Sequence, residues 1–106
     1  MPLTRSFRAT VRERTARDPA FRAALFQEAV QTLIEGDVDT ARTVLRDFIN
    51  ATIGFPALAK ATGIPVKSLM RMFGPSGNPT AANLSEVIRV LQKKTGVHLE
   101  VRASAA

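Results

Sequence analysis

The chain has no cysteine, no tryptophan and no tyrosine, and His98 is its one histidine. Without thiols there is no disulfide framework, no thiolate metal site and no cysteine nucleophile. A single imidazole builds neither a metal centre nor a catalytic triad. Asp37 and Asp39 stand two apart, but the remaining ligands of a calcium loop are missing. There is no glycine-rich phosphate loop and no converging pair of carboxylates. Enzymatic activity is therefore not expected, and neither is a cofactor or a metal. The six phenylalanines fall mostly on apolar helix faces, which argues against a base-stacking platform for RNA. No apolar run approaches the roughly 18 residues of a membrane span. The arginine-bearing start, MPLTRSFRATVRER, is not followed by the apolar stretch of a secretory leader. We read a cytoplasmic protein without a membrane partner.

What is present is one domain's worth of apolar residues and an uneven distribution of charge. The chain has 106 residues, 45% of them hydrophobic, enough for a single modest core. The net charge of +6 is split along its length. Residues 1–22 carry six arginines against Glu13 and Asp18. Residues 23–50 reverse the sign, with Arg42 and Arg46 against Glu28, Glu35, Asp37, Asp39 and Asp47. Residues 51–106 hold seven basic groups against Glu86 and Glu100, which suits contact with phosphate.

The punctuation predicts helices almost throughout. A first helix is expected from about Thr4 to Ala16, with Phe7 and Val11 as its apolar stripe. Asp18-Pro19 reads as a cap followed by proline in the first turn of a second helix, which runs to about Glu35. Its apolar face steps through Phe21, Leu25, Ala29 and Leu33 and is widened by Phe26, Val30 and Ile34. A third helix, capped by Asp37, Asp39 or Thr40, carries Ala41, Val44, Leu45, Phe48 and Ile49. After the turn-rich GPSGNPT, Thr80 caps a last helix with Leu84, Val87, Ile88 and Leu91 on its core face. Beyond Gly96, Val97, Leu99 and Val101 alternate with His98, Glu100 and Arg102, the period of a strand.

Between these elements lies FPALAKATGIPVKSLMRMF, residues 55–73. Ala59 is small where two helices would cross, and Gly63 four residues later supplies a turn that favours positive φ. Leu58, Ile64, Leu69 and Met72 are spaced to bury both helices on one core. That leaves Val66, Lys67, Ser68, Met70 and Arg71 on the outer face of the second helix, as in a DNA-binding helix-turn-helix. A plain αα-corner inside a helical domain has the same small-residue and glycine positions.

Read with LAKATGI, SLMRMF, SGNPT and NLSEVIRVLQKKTGVHLEV, the chain resembles the Xre/Cro-type regulators. More closely it is similar to their addiction-module antidote branch, the HigA-like antitoxins. The resemblance covers about residues 40–102, with Gly77, Asn78, Pro79 and Gly96 as its markers. It implies a compact all-α domain of five to six helices, with a helix-turn-helix of the λ-repressor/Xre type and a short C-terminal β-strand. Residues 1–36 would be a helical extension packed on a DNA-binding domain of residues 37–102, with 103–106 frayed. The implied function is an autorepressor that reads a double-stranded operator with residues 65–73, is usually a homodimer and in many cases neutralises a toxin. The sequence departs from the family at Gly54-Phe55-Pro56, which lacks a common glutamine, and at Pro65, where a serine cap is usual.

Several side chains are thereby candidates. Lys67 and Arg71, four apart on one face, can reach guanine or phosphate; solvated charge is the plainer reading. Ser68 can donate to phosphate or a base edge, and Met70 can meet a thymine methyl or belong to the core. Ser76, Asn78 and Thr80, ahead of a helix, are placed for phosphate or simply for the turn. Arg5, Arg8 and Arg12 form a stripe that is either a phosphate-gripping arm or a solvent face. The acidic middle is a solvated surface or a dock for a cognate basic toxin. Val97, Leu99 and Val101 are the candidate dimerisation strand. The alternative to a groove reader is a toxin-neutralising interaction module with little DNA specificity.

Overall fold

The expected caps set most of the helix ends. The computed structural model describes residues 5–105, with all of their side chains except those of Arg5, Ser6 and Arg8. Within this range the chain forms α1 (Arg5–Arg17), α2 (Pro19–Ile34), α3 (Val38–Ala51), α4 (Phe55–Thr62), α5 (Val66–Met72) and α6 (Ala81–Thr95). The fold is all-α. The expected helix start at Thr4 and the terminal Ala106 lie outside the described residues. Asp18 Oδ1 accepts the backbone N–H groups of Ala20 and Phe21 at 3.0 and 3.2 Å, opening α2. Asp37 is the cap of α3, accepting the Thr40 N–H at 3.2 Å, and Thr80 Oγ1 accepts the Asn83 N–H at 3.1 Å ahead of α6.

One hydrophobic cluster joins five of the helices. It takes Phe26 and Ala29 from α2, Leu45, Phe48 and Ile49 from α3, and Phe55 and Leu58 from α4. Leu69 and Met72 of α5, Phe73, and Val87, Val90 and Leu91 of α6 complete it. The expected division at residue 36 thus falls between two helices that share this core. Helix α1 contributes no residue to the cluster among the described residues; it packs on α2 and α3, with Thr15 fully buried near its C-terminal end. There Arg22 Nε donates to the Thr15 carbonyl at 3.2 Å, and the Arg14 guanidinium lies 4.6 Å from the centre of the Phe21 ring.

Three expectations need correction. Ile34, assigned to the buried face of α2, is 61% exposed, and Phe7 of α1 is exposed as well. The expected C-terminal strand does not form: among the described residues no strand is present. A strand exists only through its ladder, and among the described residues no second segment pairs with residues 97–101. No helix of the described residues is long and apolar enough to cross a membrane.

The cap of α2 carries a pH signature. The Asp18 carboxyl is held below the usual carboxylate range, chiefly by the Phe21 N–H and further by the Ala20 N–H and Arg14, against a smaller opposing effect of desolvation. A carboxyl depressed in the folded state contributes stability above its unfolded-state pKa and loses it as pH falls through the folded value. Asp18→Ala should therefore lower Tm at neutral pH, and the gap to the parent protein should close in strong acid. Thermal melts followed from neutral to acid pH check this; a gap of constant size would show that the ionised cap is not its source.

Candidate nucleic-acid interface

The site begins with the turn between α4 and α5. Gly63 lies at φ +78 and its N–H donates to the Ala59 carbonyl at 2.8 Å, ending α4. Thr62 ties the turn from the side: its hydroxyl donates to the Leu58 carbonyl at 2.8 Å and accepts the Ile64 N–H at 3.2 Å. Helix α5 starts at Pro65 with no side-chain cap, and its seven residues are too few to hold a helix in water unaided. Tertiary burial holds it. Leu69 has no solvent contact, Met72 is buried, and the Phe73 ring lies 6.2 Å from that of Phe55, tilted by 51°.

That anchoring decides which side chains face out. Lys67, Met70 and Arg71 are exposed, Met70 by 55%. Ser68 is half-buried. Val66, expected on the outer face, is half-buried and packs on the core. The reason is spacing: it stands three residues before Leu69, and positions i and i+3 share a helix face. The presented set is therefore narrower than expected, with one long apolar side chain between two cations.

The segment after α5 is folded back on that helix. The Gly77 backbone approaches so closely that a Cβ there would run into the carbonyl oxygens of Arg71 and Met72. Arg42 of α3 clasps the same segment: Nη1 donates to the Gly77 carbonyl at 2.9 Å and Nη2 to the Pro75 carbonyl at 3.0 Å. Nη2 also meets Asp39 Oδ1 at 2.9 Å, and the Arg42 side chain is only 11% exposed. Ser76 and Asn78 are exposed on this clasped loop, beside the Arg71 end of α5. Thr80 is exposed too, with its hydroxyl engaged as the cap of α6. The loop thus runs from the C-terminal end of α5 to the capped start of α6, a helix end that favours anions.

Other candidates stand apart from it or lie beyond description. The side chains of Arg5 and Arg8 lie outside those described, and Arg12 is exposed. Lys93 and Lys94 are exposed in the last turn of α6. Val97 and Leu99 are half-buried against the core, whereas Val101 is 83% exposed. Arg42 was missed as a site residue because its carbonyl partners lie 33 and 35 positions further along the chain. In the sequence it registers only as a charge. Compared with known proteins, the chain matches no family model, no curated protein and no solved structure.

Gly77→Ala should destabilise the fold by about 1–3 kcal/mol, the usual cost of forcing atoms into filled space. Ser76→Ala, exposed on the same loop, should change it by less than about 0.5 kcal/mol. Urea unfolding of the two variants compares them, and equal midpoints would mean that the loop does not rest on α5.

Proposed function

We propose that the protein is a sequence-specific DNA-binding transcriptional regulator of the helix-turn-helix type, an antitoxin-like autorepressor of the Xre/Cro kind working in the cytoplasm. It would lay α5 in the major groove of a double-stranded operator. One observation carries the reading: a short helix, anchored by Leu69 and Met72, turns Lys67, Met70 and Arg71 to solvent, next to a glycine turn from α4. A major groove about 12 Å wide admits such a helix, and three or four side chains suffice to read base edges. In this reading Arg71 forks onto guanine and Lys67 meets phosphate. Met70 packs on a thymine methyl, and Ser68 donates at the edge. Ser76, Asn78 and Thr80, with the start of α6, hold the neighbouring backbone.

Alanine variants test it on an operator selected from random duplexes. Arg71→Ala should relax discrimination at one base pair at a cost of about 1–3 kcal/mol. Lys67→Ala should weaken all sequences alike and flatten the salt dependence by about one unit of slope. Leu69→Ala is the contrast, destabilising the fold by about 2–5 kcal/mol as a core truncation. A Lys67/Arg71 double alanine protein that binds the operator as tightly as the parent would remove this reading's main support.

A second reading is favoured by the corner between α2 and α3. Ile34 and Val38 are both largely exposed there, beside Glu35, Asp37 and Asp39, with Glu28 two turns back on α2. An apolar pair ringed by carboxylates suits a basic partner with an aliphatic anchor, such as a cognate toxin, and would make the protein a neutralising module. Glu28→Gln, Glu35→Gln, Asp37→Asn and Asp39→Asn together should weaken capture of that toxin and leave operator binding unchanged. Asparagine at position 37 keeps the helix cap. Undiminished co-purification of the toxin would exclude this corner.

A further inference from the structure

We infer that the cleft where α1, α3 and α6 end is a binding site for a small phosphate monoester that also carries hydroxyl groups. The cleft has a volume of about 300 Å³ and is lined by Arg22 and Lys94, together with Thr52 and Thr95. Ala16, Ala51 and Ile53 complete it as an apolar wall, and no carboxylate lines it. At about 1.5 Å per residue, roughly 20 Å of helix separates it from the capped start of α6. The cleft is thus apart from the loop that follows α5, and its chemistry does not depend on what α5 reads.

Arg22 is the anchor of the site. It is half-buried, yet it makes no ion pair among the described residues. Asp18, one turn earlier, is engaged by Arg14 and by the first N–H groups of α2 instead. Arg22 Nε donates to the Thr15 carbonyl at 3.2 Å, which fixes the guanidinium and leaves the edge formed by Nη1 and Nη2 without a bond. A charge drawn part-way out of water with no counter-ion carries a standing cost, and an anion in the cleft offsets it. Lys94, exposed and also without an ion pair among the described residues, adds a second positive charge. Two cations match a phosphate monoester, whose charge approaches about −2 at neutral pH. A planar fork and a compact ammonium are complementary phosphate contacts. The threonines specify the rest of the ligand. Thr52 Oγ1 donates to the Phe48 carbonyl at 2.7 Å and Thr95 Oγ1 to the Leu91 carbonyl at 2.6 Å. Each has committed its one hydrogen and can only accept, so a ligand hydroxyl is the complementary donor. These bonds also engage the carbonyl groups of the helix ends, as do the Gly96 N–H on Gln92 and Arg22 on Thr15. The fractional negative charge of those ends is therefore partly met before a ligand arrives. A bare inorganic anion would meet the cations and leave both threonine oxygens unused.

Glycerol 3-phosphate, inorganic phosphate and sodium chloride, compared at equal ionic strength on the full chain, provide the test. Glycerol 3-phosphate should shift the backbone amide resonances of Thr52, Ile53, Lys94 and Thr95 saturably. It should also raise Tm, because a ligand held only by the folded state stabilises that state. Inorganic phosphate should bind at the same residues more weakly, and chloride should do neither. Lys94→Gln, at an exposed side chain, should keep the helical circular dichroism spectrum and weaken binding about tenfold, the worth of one charge-assisted bond. Arg22→Lys, which keeps the charge and loses the fork, should weaken binding as well. Inorganic phosphate binding as tightly as glycerol 3-phosphate would overturn the ligand class. Shifts no larger than those with chloride, shifts centred on α5, or a folded Lys94→Gln protein that binds as tightly as the parent would overturn the site.

Discussion

Phe26 and Phe48 lie ring against ring, 4.6 Å between centroids and 23° from parallel, and both are closed to solvent. This stack binds α2 to α3, and α4, which meets α3, carries α5 and α6 in turn. Ile49 and Leu45, on the same face as Phe48, carry the cluster on to α4 through Phe55 and Leu58. Arg42, one turn before Leu45 on α3, reaches the loop that follows α5. Aromatic stacking beyond plain burial is worth about 0.5–1.5 kcal/mol, but its larger effect here is geometric. The seven-residue α5 leans on α4, where the Phe73 ring meets that of Phe55. Helix α1, outside the cluster, packs on α2 and α3 and adds a cation over a ring and a guanidinium-to-carbonyl bond.

The short α5 shows why its display and its stability are one problem. Isolated helices of fewer than about 12 residues are marginal in water, so α5 exists because Leu69, Met72 and Phe73 are buried. Those contacts fix the rotation of the helix about its axis, and that rotation alone decides that Lys67 and Arg71 face out together. The missing side-chain cap at Pro65 is offset upstream, where Thr62 receives the Ile64 N–H and holds the turn. A loosening of the core would therefore blur the outward face before it unfolded the chain.

Much of this was legible from local chemistry. Asp18, Asp37 and Thr80 announce helix starts because a short acceptor side chain ahead of an apolar period has few other uses, and Gly63 and Gly96 mark ends through their positive φ. What failed did so where geometry accumulates over distance. Steps of four residues overshoot a full helical turn by about 40° each, so a stripe drifts round the helix. Starting from Phe26 in the core, Val30 is half out and Ile34 is in solvent. Val66 failed by the same rule in reverse, its spacing of three from Leu69 returning it to the core. The segment 97–101 was read correctly in its alternation and wrongly as a strand of this chain, since the period belongs to one segment and the ladder to two. The functional reading of Lys67 and Arg71 rests on their exposure and neighbours, which the alternation of charge and apolar residues anticipated.

Arg42 is the contact no periodicity could find, and its energetics explain its position. Its carboxylate partner Asp39 is 87% exposed, so the ion pair is screened and worth little by itself. The two carbonyls do more, because each is a charge-assisted bond from a side chain that is nearly out of solvent. A planar guanidinium serves this end better than an ammonium: its fixed fork reaches Gly77 and Pro75 at once and still leaves a hydrogen for Asp39. The loop it holds can approach α5 only because position 77 has no side chain. A cation from the acidic third of the chain and a bare backbone in the basic third thus meet at the point where Arg71 emerges. In this way helix α3 helps hold the loop against the C-terminal end of α5.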